Sequence, residues 1–163
     1  MVLRCSVPLA NGGNPGRMSM KLSTRCRYGT RLMLDMAQHY NKGPIQLGDI
    51  AKRQNLSVKY LEQIIIPLKK AGFIESVRGP KGGHVLAKHP MEITLGEIVA
   101  LLEEGITLVE CVENAAICER ADTCPTRLVW KEVSEAVLDK LQALTLADLV
   151  QRAKVLEDKD FPI

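Results

Sequence analysis

At 163 residues with a formal net charge of +3, the chain is long enough to bury one core and too short for two full catalytic domains. No apolar run approaches the roughly 18 residues of a membrane span. Only the short apolar stretch Val7 to Ala10 precedes an Asn-Gly-Gly-Asn-Pro-Gly run, so neither membrane anchor nor signal peptide is expected and the protein is placed in the cytoplasm. The small net charge conceals a division. Residues 20–89 carry 13 Lys and Arg against four Asp and Glu, whereas residues 90–163 carry seven against 15. A basic front half joined to an acidic back half suits a module that neutralises phosphates while the rest of the chain avoids indiscriminate binding.

In chain order, residues 1–19 show no sustained period, and their Asn, Gly and Pro cluster reads as a disordered extension or a misassigned start. From Ser23 the spacing of Tyr28, Leu32, Met33, Met36, Ala37 and Tyr40 predicts a helix, closed by Asn41, Gly43 and Pro44. Leu47, Ile50 and Ala51 give a second, short apolar face that Asn55 interrupts. Ser57 then stands at the N-cap of a third helix, whose Leu61, Ile64, Ile65, Leu68 and Ala71 follow an i, i+3, i+4, i+7 rhythm. Pro67 lies inside it and is expected to kink it beyond its first turns. Gly72 ends it, and Phe73–Val77 and His84–Leu86 read as two strands turned by Gly79, Pro80, Lys81, Gly82 and Gly83.

Two short helices followed by a basic hairpin within about forty residues read as a winged helix-turn-helix. The fold class expected is mainly α with a small β-hairpin wing, over residues 20–90. A recognition helix presents its N-terminal side chains to base edges in the major groove of a double-stranded DNA operator, while Arg78 and Lys81 at the wing tip reach phosphates or a minor groove. Beyond the wing, residues 91–124 form a linking helix and a cysteine-rich loop. Thr94 and Glu97 make a capping box for a helix that Gly105 stops. Residues 125–163 follow, with a long helix from Pro125 to about Leu144. Its Trp130, Val133, Val137, Leu141 and Leu144 fall in near-heptad order and point to a homodimer interface. Thr145 and Asp148 cap a last short helix through Ala153.

Cys111, Cys118 and Cys124 lie within fourteen residues, in a loop that also holds Glu110, Glu113, Glu119 and Asp122. In a chain without export signals such clustering points to metal ligation or redox chemistry more than to structural disulfides. The C-x6-C-x5-C spacing lacks the C-x2-C knuckle of structural zinc sites, and three thiolates suit an iron–sulfur cluster that needs a fourth ligand.

Four segments together resemble the IscR, NsrR and CymR family of bacterial winged-helix regulators. These are Lys21–Tyr28 (KLSTRCRY), Leu56–Gln63 (LSVKYLEQ), Val77–Gly83 (VRGPKGG) and the cysteine loop followed by Leu128, Val129 and Trp130. The resemblance runs from Met20 onward and implies a dimeric repressor or activator. It also implies an iron–sulfur cluster on Cys111, Cys118 and Cys124, with 2Fe-2S favoured over 4Fe-4S. Carried over by position, Ser57, Lys59, Tyr60, Glu62 and Gln63 face the major groove and Arg78 with Gly79 enters the minor groove. Two positions depart from the family. Arg127 stands where the IscR branch has a histidine three residues past the last cysteine, and Arg27 stands where the NsrR branch has an acidic residue before the tyrosine. Cys26 of a partner subunit, or Glu119 or Asp122 locally, then becomes the candidate fourth ligand. The terminal Phe161-Pro162-Ile163 is similar to the tail of the CymR branch, which partners a cysteine synthase through a captured carboxylate.

The expectation is therefore a DNA-binding transcriptional regulator sensing iron–sulfur status, redox state or nitric oxide. One alternative is a cluster-free regulator of cysteine metabolism acting with a cysteine synthase through Ile163. Another, from a different class, is an iron–sulfur electron carrier. The sequence offers no combination of nucleophile, base and orienting group, so enzyme activity is not expected.

Overall fold

The computed structural model describes residues 22–103 and 109–157. Cys5 and the N-terminal extension, Gly105, and the Ile163 tail lie outside the described residues. Seven α-helices and one two-stranded antiparallel sheet are present among them. The first, α1 (Thr24–Gln38), starts at Ser23, whose hydroxyl accepts from the Cys26 backbone N–H at 3.0 Å and so satisfies one of the donors a helix start leaves free. Next, α2 (Leu47–Gln54) ends as expected at Asn55, which adopts φ +51° and passes the chain into α3 (Val58–Lys70).

The buried side of α3 holds Leu61, Ile64, Ile65 and Leu68, four of the five positions its rhythm predicted; Ala71 caps the helix and is exposed. Strands β1 (Ile74–Val77) and β2 (Gly83–Leu86) pair antiparallel with Ile74 opposite Leu86 and Val77 opposite Gly83. A bridge from Ile45 to His84, with N–H···O bonds of 2.9 and 2.8 Å, anchors this hairpin to the α1–α2 connection.

Helix α1 is the hub, packing against α2, α3, β2, α4 (Leu95–Leu102) and α7 (Leu146–Glu157). Gly29 lets it come so close. A Cβ there would stand 2.2 Å from Leu102 Cδ1 and 3.3 Å from Ile64 Cγ2, so α1, α3 and α4 meet at a point that admits no side chain. Around that point Cys26, Leu32, Met33, Leu61, Ile64, Ile98 and Leu102 belong to one apolar cluster.

Thr94 and Glu97 form the predicted capping box of α4. Its entry is tied to the turn after α6 (Pro125–Gln142) by Leu95 N–H to Leu144 O at 2.7 Å and Leu146 N–H to Ile93 O at 2.9 Å. Thr145 and Asp148 cap α7 reciprocally, and α7 continues to Glu157, beyond the Ala153 end expected from the sequence.

One charged group is buried in the hub. Asp35, 1% exposed, accepts from Arg53 Nε at 3.0 Å, Arg53 Nη2 at 2.6 Å and Gln54 Nε2 at 3.0 Å, which clamps the end of α2 to α1. Burial pushes this carboxyl up, but the bonds from Arg53 and Gln54 outweigh it and hold the group below the usual aspartate range. Its contribution is therefore present above the unfolded pKa, near 3.8, and lost as pH falls through the lower folded value. Removing the cation strands a buried charge, so Arg53→Ala should lose about 3 kcal/mol at neutral pH. As pH falls the deficit relative to wild type should shrink, because without the cation burial raises the Asp35 carboxyl and the variant takes up its proton first. Denaturant melts of both proteins across pH 3–8 check this.

Candidate nucleic-acid interface and cysteine loop

The side of α3 turned away from the core carries Lys59, Glu62 and Gln63, all exposed. Ser57 occupies the N-cap position, as expected, but its hydroxyl makes no capping bond and is free to meet another partner. Tyr60 sits differently from these. It is half-buried, and its ring and that of Tyr28 form a T-shaped pair with centroids 5.8 Å apart, so part of its surface is taken up by α1. At the wing tip Arg78, Gly79 and Lys81 are exposed. Gly79 takes φ +122°, a conformation that favours glycine, and its carbonyl accepts from Gly82 N–H at 2.9 Å to close the turn.

Two further basic groups, absent from the residues expected at the site, adjoin the recognition helix. The guanidinium carbons of Arg27 and Arg31 lie 5.9 and 5.7 Å from the Tyr28 ring centroid, on the aromatic pair that joins α1 to α3. Arg31 also donates to Gln54, through Nε to Oε1 at 3.1 Å and through Nη2 to the carbonyl oxygen. Their i, i+4 spacing around an aromatic residue was the available signal.

The cysteine segment is more ordered than the loop expected. It comprises a short helix, α5 (Glu110–Glu113), and two 3-10 turns, Ala115–Ile117 and Ala121–Thr123. Cys111, Cys118 and Cys124 are half-exposed, and these and Cys26 are free thiols. Cys124 stands at the start of α6, where the Thr126 hydroxyl at 3.1 Å, then the Arg127 backbone N–H, hold its thiol below the ordinary cysteine range.

Arg127 explains how the segment is held. Its Nε donates to Cys111 O at 2.6 Å and its Nη1 to Ala121 O at 3.3 Å, pinning both limbs to the first turn of α6. The guanidinium is thus a brace rather than a ligand. Cys26 is corrected as a fourth-ligand candidate: it is 0% exposed, and burial together with the Glu103 carboxylate pushes its thiol up to about 11. A neutral thiol inside the hub reaches no partner subunit.

Three free, half-exposed thiols on one segment fit an iron–sulfur cluster by donor chemistry. Among the described residues, however, no three His, Cys, Asp or Glu side chains converge as a metal-binding group. The thiols stand on separate turns, whose placement follows Arg127's bonds to main-chain carbonyls.

Of α6, only Ser134 is buried. Leu128, Val129, Trp130 and Val133 are 61, 52, 43 and 40% exposed. No helix among the described residues is long and apolar enough to cross a membrane.

Residues 22–152 match the family model Rrf2, described as an iron-dependent transcriptional regulator. Protein rrf2 of Nitratidesulfovibrio vulgaris is 47% identical over 136 residues, covering 83% of this chain and 91% of its own. The HTH-type transcriptional regulator IscR of Pectobacterium atrosepticum is 38% identical over 141 residues, covering 86% and 85%. Among solved structures, CymR (YrzC), the global cysteine regulator of B. subtilis, superposes with a TM-score of 0.70 at 40% identity, over 81% of this chain and 97% of that one. IscR of T. potens superposes with a TM-score of 0.69 at 40% identity, over 83% and 90%. With its two-helix reader, its hairpin wing and a family match over residues 22–152, the chain belongs to the Rrf2 family of winged helix-turn-helix transcriptional regulators and not to an enzyme family.

Proposed function

We propose that the protein is a homodimeric regulator that binds a double-stranded operator and responds to iron–sulfur or redox status through Cys111, Cys118 and Cys124. The observation that carries this reading is the cysteine segment braced directly onto the first turn of α6 by Arg127, with Leu128, Val129, Trp130 and Val133 exposed beside it. Ser57, Lys59, Glu62 and Gln63 enter the major groove, with Tyr60 contributing the exposed part of its ring. Glu62 accepts from a cytosine amino group, Arg78 and Gly79 approach the minor groove, and Lys81, Arg27 and Arg31 neutralise phosphates. Cys111, Cys118 and Cys124 would hold the cluster, which would supply a tie between their turns that oxidants or nitric oxide could remove. The residues of the segment and of α6 pass its presence to the spacing of the two recognition helices.

The family description as iron-dependent and the likeness to IscR support a cluster, and we favour 2Fe-2S over 4Fe-4S. The likeness to a global cysteine regulator favours one second reading, a cluster-free regulator of cysteine metabolism that engages a cysteine synthase through Ile163.

Four outcomes are expected. Removing Lys81 should weaken all sequences alike and flatten the salt dependence of binding by about one phosphate contact. Glu62→Ala should instead relax preference at one base pair, by about 1–3 kcal/mol of discrimination; fluorescence anisotropy titrations at several salt concentrations separate the two. Replacing Trp130 and Val133 by Glu should convert a dimer into a monomer in light scattering, because charges cannot be buried unpaired at an apolar seam. Protein purified without oxygen should contain stoichiometric iron and acid-labile sulfide and change its operator affinity when these are removed. Colourless, iron-free protein with full affinity would transfer the assignment to the cysteine-metabolism reading, and deletion of Ile163 would then be tested for loss of synthase binding.

A further inference from the structure

The outward side of α3 mixes two chemistries. Between its exposed polar groups stand two branched aliphatic residues, Val58 at 42% and Ile66 at 53% exposure, which share one stripe with Glu62 at i, i+4 and i+8. The remaining aliphatics of the helix, Leu61, Ile64, Ile65 and Leu68, are buried in the hub. An aliphatic side chain left in water beside a carboxylate is the complement of neighbouring pyrimidines in a major groove, where thymine presents its C5 methyl and cytosine its amino donor. Position along the helix selects between the two aliphatics. Ile66 lies about 12 Å along the axis from Val58, away from the groove-entering end and next to Pro67. Val58 is the first helical residue, adjacent to the free Ser57 hydroxyl, and about 6 Å in rise from Glu62, one to two base-pair steps of about 3.4 Å.

We propose that Val58 is a specificity-determining residue that reads the methyl group of a thymine within two base pairs of the cytosine read by Glu62. The assignment rests on α3 being the recognition helix. Its chemistry is distinct from the polar contacts: contact with a methyl group removes apolar surface of both partners from water and leaves no donor or acceptor unpaired.

Uracil tests this, since it lacks only the C5 methyl of thymine. Duplexes bound by the full chain are enriched from a random library, and each thymine of the enriched site is replaced singly by uracil. One thymine per half-site should then weaken binding about fourfold on replacement, the worth of one buried methyl group. That thymine should lie within two base pairs of the position where Glu62→Ala relaxes preference. In Val58→Ala the penalty at that position should vanish while the other positions keep theirs, and in Val58→Ile it should persist, with unchanged melting temperatures as the check on folding. Uracil tolerated throughout by the wild type, a penalty that survives in Val58→Ala, or one lost in Val58→Ile would each overturn the proposal and leave sequence-specific binding standing. Failure to enrich any duplex would instead overturn the DNA-binding reading of α3 beneath it.

Discussion

The close approach of α1 to α3 and α4 at Gly29 is the constraint on which the rest of the structure depends. With a Cβ at that position 2.2 Å from Leu102 Cδ1, a side chain there would force Leu102 aside and crowd Ile64. Because Ile64 of the recognition helix meets the same point, the orientation of α3 is set by a contact on its hidden side. The outward residues are free of that task. A recognition helix needs this separation, since its exposed positions must vary with the base sequence while its direction must not.

The polar clamp at Asp35 works with that apolar crossing. Apolar burial is non-directional, so it alone leaves α2 able to slide on α1. The carboxylate fixes the register, because Arg53 and Gln54 are consecutive residues at the end of α2 and both must reach one buried group. Gln54 also holds Arg31 through its side chain and its carbonyl, which sets a cation on the surface that α1 presents beside the recognition helix. Packing, hydrogen bonding and surface charge are thus joined along one line of residues.

The reader was legible in the sequence where one local rule decided the outcome. The period of Leu61, Ile64, Ile65 and Leu68 assigned the buried side of α3, Asn55 and Gly72 marked helix ends, and paired Thr and acidic residues marked the starts of α4 and α7. What escaped depended on tertiary neighbours. Cys26 lies next to Arg27 in sequence and yet is sealed in the hub, because helix geometry turns adjacent residues about 100° apart. The Tyr28–Tyr60 contact joins residues 32 apart, so nothing local foretold that Tyr60 would be partly withdrawn. Short turns in the cysteine segment carried no period long enough to read.

Within the acidic half of the molecule, Arg127 fastens the cysteine segment to the first turn of α6. Its bonds go to the main-chain carbonyls of Cys111 and Ala121, not to side chains, so they hold the segment whatever chemistry the thiols undergo. A rearrangement that gathered the thiols would have to move those carbonyls, and the guanidinium they hold belongs to the first turn of α6. The far end of that helix packs on α4, where Gln142 stands against Gly96, and α4 in turn meets α1 at Gly29. Interiors packed at crystal-like density shift as units rather than absorbing such a displacement locally. Under the proposed function, chemistry that gathered the cysteines would act on α6 through the brace at Arg127.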